Sequence, residues 1–191
     1  DMVLGENEAK KHLEYYLKIL QNPYVSCISV KISTLYSQAD NIAAEKTVST
    51  VAERLTKLLY EAKKEEKKSG IPKLVYLDME EYKGLMLTVD VIKRCLKNPD
   101  LNRFPIGIAL QAYIPESFIY QQELTTLAKL RLSKGGTPIR IRIVKGANME
   151  MEKCIASLNG WDQAPYLNKI QTDANFKRMI AYAFQHANLK A

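Results

Sequence analysis

The 191 residues, 47% hydrophobic and 26% charged, are enough for one domain with a sizeable core and exclude a disordered chain. No apolar run reaches the roughly 18 residues of a membrane span, and no basic segment precedes an apolar core at the N-terminus. The net charge of +7 raises nucleic acid as a partner, but the densest basic run, Ala62 to Ser69, interleaves Glu65 and Glu66 with four lysines as a solvated helix face does, so none is expected through this domain.

Three widely spaced cysteines, Cys27, Cys95 and Cys154, form no C-x-x-C pair, so neither a disulfide frame nor a zinc site is indicated, and a reduced, cytoplasmic protein is expected. With His12 and His186 as the only histidines, a histidine-based metal site or a catalytic triad lacks raw material. No metal is expected.

Asp1 to Glu6 starts without an initiator methionine, as if cut from a longer sequence, and Asp1 to Leu4 reads as a residual first strand. From Ala9, apolar positions recur at helical spacing through Leu13, Tyr16, Leu17 and Leu20 until Asn22 and Pro23. Tyr24 to Ser33 alternates as a strand, with Ile28, Val30 and Ile32 opposite Cys27, Ser29, Lys31 and Ser33. A helix over Thr47 to Lys68 puts Val48, Val51, Leu55, Leu58, Leu59 and Ala62 on one stripe and stops at Ser69-Gly70. Lys73 to Glu80 is a second strand, with Val75, Leu77 and Met79 opposite Leu74, Tyr76, Asp78 and Glu80.

A helix from about Tyr82 to Lys97 follows, then a strand over Phe104 to Tyr113 with Ile106, Ile108 and Leu110 opposite Gly107, Ala109, Gln111 and Tyr113. Pro115 suits the first turn of the next helix, which runs to Ser133 or Lys134. Ile139, Ile141 and Ile143 then alternate with Arg140, Arg142 and Val144, and Lys145-Gly146-Ala147 closes that strand. A helix spans about Glu150 to Leu158, and Thr172 to Asn188 reads as the last.

Strands separated by helices pair in parallel through right-handed crossovers. One face of each strand is Ile, Val and Leu, whereas the other carries Ser29, Lys31, Asp78, Gly107, Ala109, Gln111 and Arg142. A doubly wound sheet wants both faces apolar, so a (βα)8 barrel is the expected fold. Lys31, Asp78, Gln111 and Arg142 share the inward parity near the C-terminal ends of their strands, where barrels carry their chemistry. Singly, Lys31 and Asp78 could be a simple salt bridge, Gln111 a core amide and Arg142 a counter-ion. Jointly they suit an anionic ligand with a hydrogen-bonding edge. No Gly-x-Gly-x-x-Gly or Walker pattern points to a Rossmann or P-loop nucleotide site.

Val30-Lys31-Ile32-Ser33, Leu77-Asp78-Met79-Glu80-Glu81, Leu110-Gln111-Ala112-Tyr113 and Arg142-Ile143-Val144-Lys145-Gly146-Ala147, in that order with helices between, resemble proline dehydrogenase, in particular that domain of bacterial bifunctional proline utilization A proteins. Leu4-Gly5-Glu6 and Thr172-Asp173 extend the resemblance over essentially the whole chain. It implies a (βα)8 barrel that binds FAD non-covalently, oxidises L-proline to Δ1-pyrroline-5-carboxylate in the first step of proline catabolism, and passes electrons to quinone at the inner membrane surface. By matched motif, Lys31 holds the proline carboxylate, Asp78 lies in the polar network beneath, Gln111 binds the flavin edge and Arg142 lies near the reactive nitrogen. Val144, Gly146 and Ala147 contact the cofactor through the strand-to-loop backbone, and Lys169 matches a flavin-contacting lysine.

Asn148 and Met149 stand where the common family pattern has Tyr-Trp, so an amide takes the substrate-side position of an aromatic wall. The family's arginine pair on the last helix and its Thr-His motif do not occur here. A complete barrel needs about 250 residues, so residues 1–191 read as one incomplete barrel domain holding about five of eight β/α units. Alone it should self-associate through open sheet edges and should not oxidise proline. The alternatives are a methylenetetrahydrofolate reductase-like flavin barrel and a non-catalytic scaffold piece.

Overall fold

A computed structural model describes residues 3–187. Four strands, β1 (Cys27–Lys31), β2 (Leu74–Asp78), β3 (Ile106–Gln111) and β4 (Ile139–Val144), form one parallel sheet in the order β1-β2-β3-β4. The helices are α1 (Glu6–Gln21), α2 (Ile32–Leu35), α3 (Ala44–Ser69), α4 (Leu85–Lys97), α5 (Ser117–Ser133), α6 (Met149–Asn159) and α7 (Lys169–His186). Strand order follows chain order without reversal. Right-handed crossovers in such a sheet place successive helices on one face, whereas a doubly wound sheet reverses its order to cover both.

The burial pattern agrees. Val30, Val75, Leu77 and Leu110 are fully buried, and they cluster with Leu20 of α1, Val51 and Leu55 of α3, Ile92 of α4 and Leu124 of α5. The opposite face is open at both sides, with Cys27 and Ser29 exposed on β1 and Arg140 and Arg142 exposed on β4. Helix α3 buries the stripe read from its sequence and ends at Gly70, whose φ of 72° needs no side chain and whose N–H reaches the Glu66 carbonyl.

Several boundaries differ from the sequence reading. β1 ends at Lys31 rather than Ser33, because Lys31 and Thr34 bond reciprocally: the Lys31 N–H donates to Thr34 Oγ1 at 3.3 Å, and Thr34 Oγ1 donates to the Lys31 carbonyl at 2.9 Å. Ile32 is therefore buried as the first residue of α2 and not as a strand residue. The helix expected from Tyr82 splits into a 3-10 turn, Tyr82–Gly84, and then α4. α7 begins three residues before Thr172, at Lys169, because the Asn168 side chain accepts from the Gln171 N–H at 3.0 Å. The expected end of that helix, Asn188, lies outside the described residues, as do Asp1 and Met2. Val3 and Leu4 belong to no strand, so the described residues hold four strand–helix units and not five.

Two buried cations brace the N-terminal end of the sheet. Lys73, 1% exposed, donates to the carbonyls of Asn22 at 2.9 Å and Val25 at 2.6 Å, fastening the α1–β1 turn to the start of β2. Arg131, 3% exposed, donates to the carbonyls of Thr137, Leu101 and Phe104 at 2.6–2.7 Å and to Thr137 Oγ1 at 3.0 Å. It joins the end of α5 to the loops that enter β3 and β4.

Candidate functional site

Register stacks the open face of the sheet into rows. The lower row holds Ser29, Tyr76, Gly107 and Arg140. A Cβ on Gly107 would lie 2.3 Å from the Tyr76 ring, so glycine is what lets that ring lie across the sheet. The next row holds Lys31 opposite Asp78, and Arg142 opposite Ala109. Gln111 stands opposite Val144, one row nearer the mouth than Arg142. The four polar groups share a face, as parity predicted, but not one depth.

Their partners are not those that adjacency suggests. Although Lys31 and Asp78 are register neighbours, Asp78 Oδ1 pairs with Arg142 Nη2 at 2.7 Å, and Asp78 Oδ2 accepts from Ser29 Oγ at 3.2 Å. The guanidinium also lies 5.4 Å from the centre of the Tyr76 ring, a cation–π distance. Arg142 is thus held from one side by a carboxylate and supported by an aromatic face, while its side chain stays 43% exposed toward the open face. Lys31 pairs with Glu80 Oε1 at 3.3 Å, and Ser33 Oγ donates to Glu80 Oε2.

The Gln111 amide is committed on one side only. Its Nε2 donates to the Glu80 carbonyl at 3.0 Å, while its buried Oε1 has no partner within the protein. The Asn148 Nδ2 reaches the same carbonyl at 3.3 Å. Beyond β4 the pairing continues: the Ala112 and Tyr113 N–H groups donate to the carbonyls of Val144 and Lys145 at 2.7 and 2.8 Å. This brings the Tyr113 ring over Gly146, whose φ is +116° and where a Cβ would lie 2.3 Å from the ring. Backbone angle and packing both require glycine there. Ala147 is exposed at the same turn. The Tyr113 hydroxyl is buried without a partner, and burial, followed by the Glu152 and Glu81 carboxylates, pushes its pKa above the usual tyrosine range.

Lys169 is far exposed and sits at the first position of α7, where its Nζ is 2.5 Å from Asp173 Oδ2; Lys145 Nζ lies 2.5 Å from Asp173 Oδ1. Hydrogen bonds from Lys145 and then Lys169 hold the Asp173 carboxyl down to about 2. The folded value lies below the unfolded one near 3.9. The pairing therefore stabilises the fold above about pH 4, and its contribution is lost as pH falls toward 2. Asp173→Asn should lower the melting temperature slightly at neutral pH, since the pairs are solvent-screened, and the gap to wild type should close between about pH 4 and pH 2.

Glu80, Tyr76 and Asp173 were given no role from the sequence. Glu80 carried a signal, since it follows Asp78 by two residues and keeps its parity. Tyr76 carried the same parity signal, two residues before Asp78, and Asp173 lay in a matched motif, but what each one holds depends on what packs against it.

Charged and amide groups gathered near the C-terminal ends of sequentially ordered parallel strands define the class: an α/β domain with its polar groups at the strand mouths. The sequence profile described as proline dehydrogenase matches residues 1–190, and the chain belongs to the proline dehydrogenase family. Among solved structures it is similar to the proline utilization A protein of Corynebacterium freiburgense, with 39% identity and a TM-score of 0.90 over 97% of this chain and 19% of that one. The protein of Bdellovibrio bacteriovorus, solved after inactivation by N-propargylglycine, matches with 27% identity and a TM-score of 0.85 over 97% of this chain and 21% of that one. A Bradyrhizobium japonicum relative, at 22% identity and a TM-score of 0.86 over 98% of this chain and 20% of that one, shares the fold. The chain thus spans about a fifth of the length of these structures. No curated protein matches it. No helix among the described residues is long and apolar enough to cross a membrane.

Proposed function

We propose that the four-stranded sheet is an arc of a (βα)8 barrel and that the full-length protein is a FAD-dependent proline dehydrogenase, oxidising L-proline to Δ1-pyrroline-5-carboxylate with electrons passed to quinone. One observation carries this reading: Lys31, Asp78 and Arg142 share the open face of β1, β2 and β4 near their C-terminal ends, with an amide acceptor, Gln111 Oε1 of β3, buried and unpartnered one row above Arg142. A buried amide oxygen left without a donor is costly unless a ligand supplies one. The edge of an isoalloxazine ring offers an N–H, and the Arg142 guanidinium stays 43% exposed toward the open face, so these residues fit a flavin.

When bound, FAD supplies the hydride acceptor. The protein's part is electrostatic. Arg142 holds positive charge where negative charge develops, and Asp78 with the Tyr76 ring keeps the guanidinium in place beforehand. Lys31 neutralises the substrate carboxylate, sharing its ammonium with Glu80. Gln111 accepts from the flavin edge, while Val144, Gly146, Ala147 and Lys169 line the approach to it. Family membership favours this reading over a methylenetetrahydrofolate reductase-like enzyme.

The test is spectroscopic. L-Proline added without oxygen to the flavin-loaded full-length protein should bleach the flavin absorbance, and a spectrum unchanged at saturating proline overturns the assignment.

A further inference from the structure

The residues after β2 are held from three directions. Glu80 takes Lys31 and Ser33 of the β1 end through its carboxylate, and its carbonyl takes the amides of Gln111 from β3 and Asn148 from the β4–α6 turn. A carbonyl oxygen has two lone pairs, and these two amide donors match both. One turn into α6, Glu152 is buried at 8% exposure and its Oε1 accepts from the Tyr82 N–H at 2.7 Å. The residue that precedes α6 and a residue of its first turn therefore grip one three-residue segment, one by donating to it and the other by accepting from it.

We propose that Asn148 and Glu152 are positioning residues that form a latch between α6 and residues 80–82, and that this latch sets the orientation of the Gln111 amide. Asn148, expected on the substrate side, acts through Glu80. By sharing the carbonyl with Gln111 it fixes that oxygen between two donors, which keeps Gln111 Nε2 engaged with the protein and leaves Oε1 as a pure acceptor. An amide and a carboxylate thus tie the turn to the β2 loop by directional bonds. The effect on Gln111 rests on the flavin reading above; the latch itself does not.

The two parts separate in one experiment on the full-length protein. In the flavin-free form, amide hydrogen exchange is measured over segments 79–86 and 145–152 for wild type, Asn148→Ala, Glu152→Ala and Glu152→Gln. Losing one latch bond should speed exchange about fivefold in both segments together, because each bond holds both sides. Gln keeps an acceptor oxygen at the position of Glu152 Oε1, so Glu152→Gln should exchange at close to the wild-type rate. Faster exchange confined to residues 145–152 in Asn148→Ala, or Glu152→Gln as damaging as Glu152→Ala, overturns the latch.

FAD titration of the same variants tests the consequence, with affinity expected to fall about fivefold in Asn148→Ala and to survive in Glu152→Gln. Unchanged affinity in Asn148→Ala alongside faster exchange overturns the control of Gln111. Wild-type protein that takes up no FAD instead refutes the flavin reading and leaves the exchange result to decide the latch.

Discussion

Arg142→Met in the full-length protein should slow the reduction of bound flavin by proline about 10²-fold or more and make the flavin potential more negative. Methionine keeps much of the stem volume and removes the charge. The guanidinium stands on the open face, fixed by Asp78 at 2.7 Å and by the Tyr76 ring, so its position is set before any reaction begins. Deleting one such preorganised electrostatic group costs about 10²–10³ in rate. The proposed role, acting on charge that builds up during transfer, predicts a loss in the reduction rate larger than the loss in proline affinity. Arg140 is the control. It shares the face but lies one row deeper, opposite Gly107, so reduction of bound flavin in Arg140→Met should stay within a few-fold of wild type. Stopped-flow reduction of the two flavin-loaded variants makes the comparison, and near-wild-type rates in both exclude the role assigned to Arg142.

Arg131→Met should be the most damaging single change to stability. The guanidinium is buried against three carbonyls and a hydroxyl, with no carboxylate partner among the described residues. Removing it leaves the Thr137 carbonyl without its donor and takes a charged donor from the Leu101 and Phe104 carbonyls, which keep only the Phe104 N–H and Thr137 Oγ1, at the start of two strands. Hydrogen bonds from a charged group contribute about 1.5–3 kcal/mol each, and the net loss should be about 3 kcal/mol or more. For a domain of this size that is a fall of about 6 °C or more in melting temperature. Arg131→Lys keeps the charge but not the planar fork, and should recover only part of the loss. Thermal melts of the three proteins decide it, and a Met variant within about 2 °C of wild type would show that water or a shifted loop replaces the arginine.

The periodicity of the sequence determined the elements and the two faces of the sheet. Alternation of period two from Ile28 to Val30, Val75 to Leu77, Ile106 to Leu110 and Ile139 to Ile143 is a local property of each strand, so the apolar side and the polar side could be read without knowing any neighbour. The stop of α3 at Gly70 is equally local. Strand ends were less legible: Lys31 terminates β1 because Thr34 reaches back to it, and a side-chain bond over three residues competes with strand geometry without disturbing the alternation. Parity tells which face a side chain takes and is silent on how far one strand is shifted along the next. That shift depends on crossovers of unequal length and on sheet twist, so only the tertiary structure placed Gln111 a row above Arg142. It alone paired Asp78 with Arg142 and Lys31 with Glu80, although Lys31 and Asp78 stand side by side. Ion pairs follow the reach of long side chains across several strands, and that distance is a property of the assembled sheet.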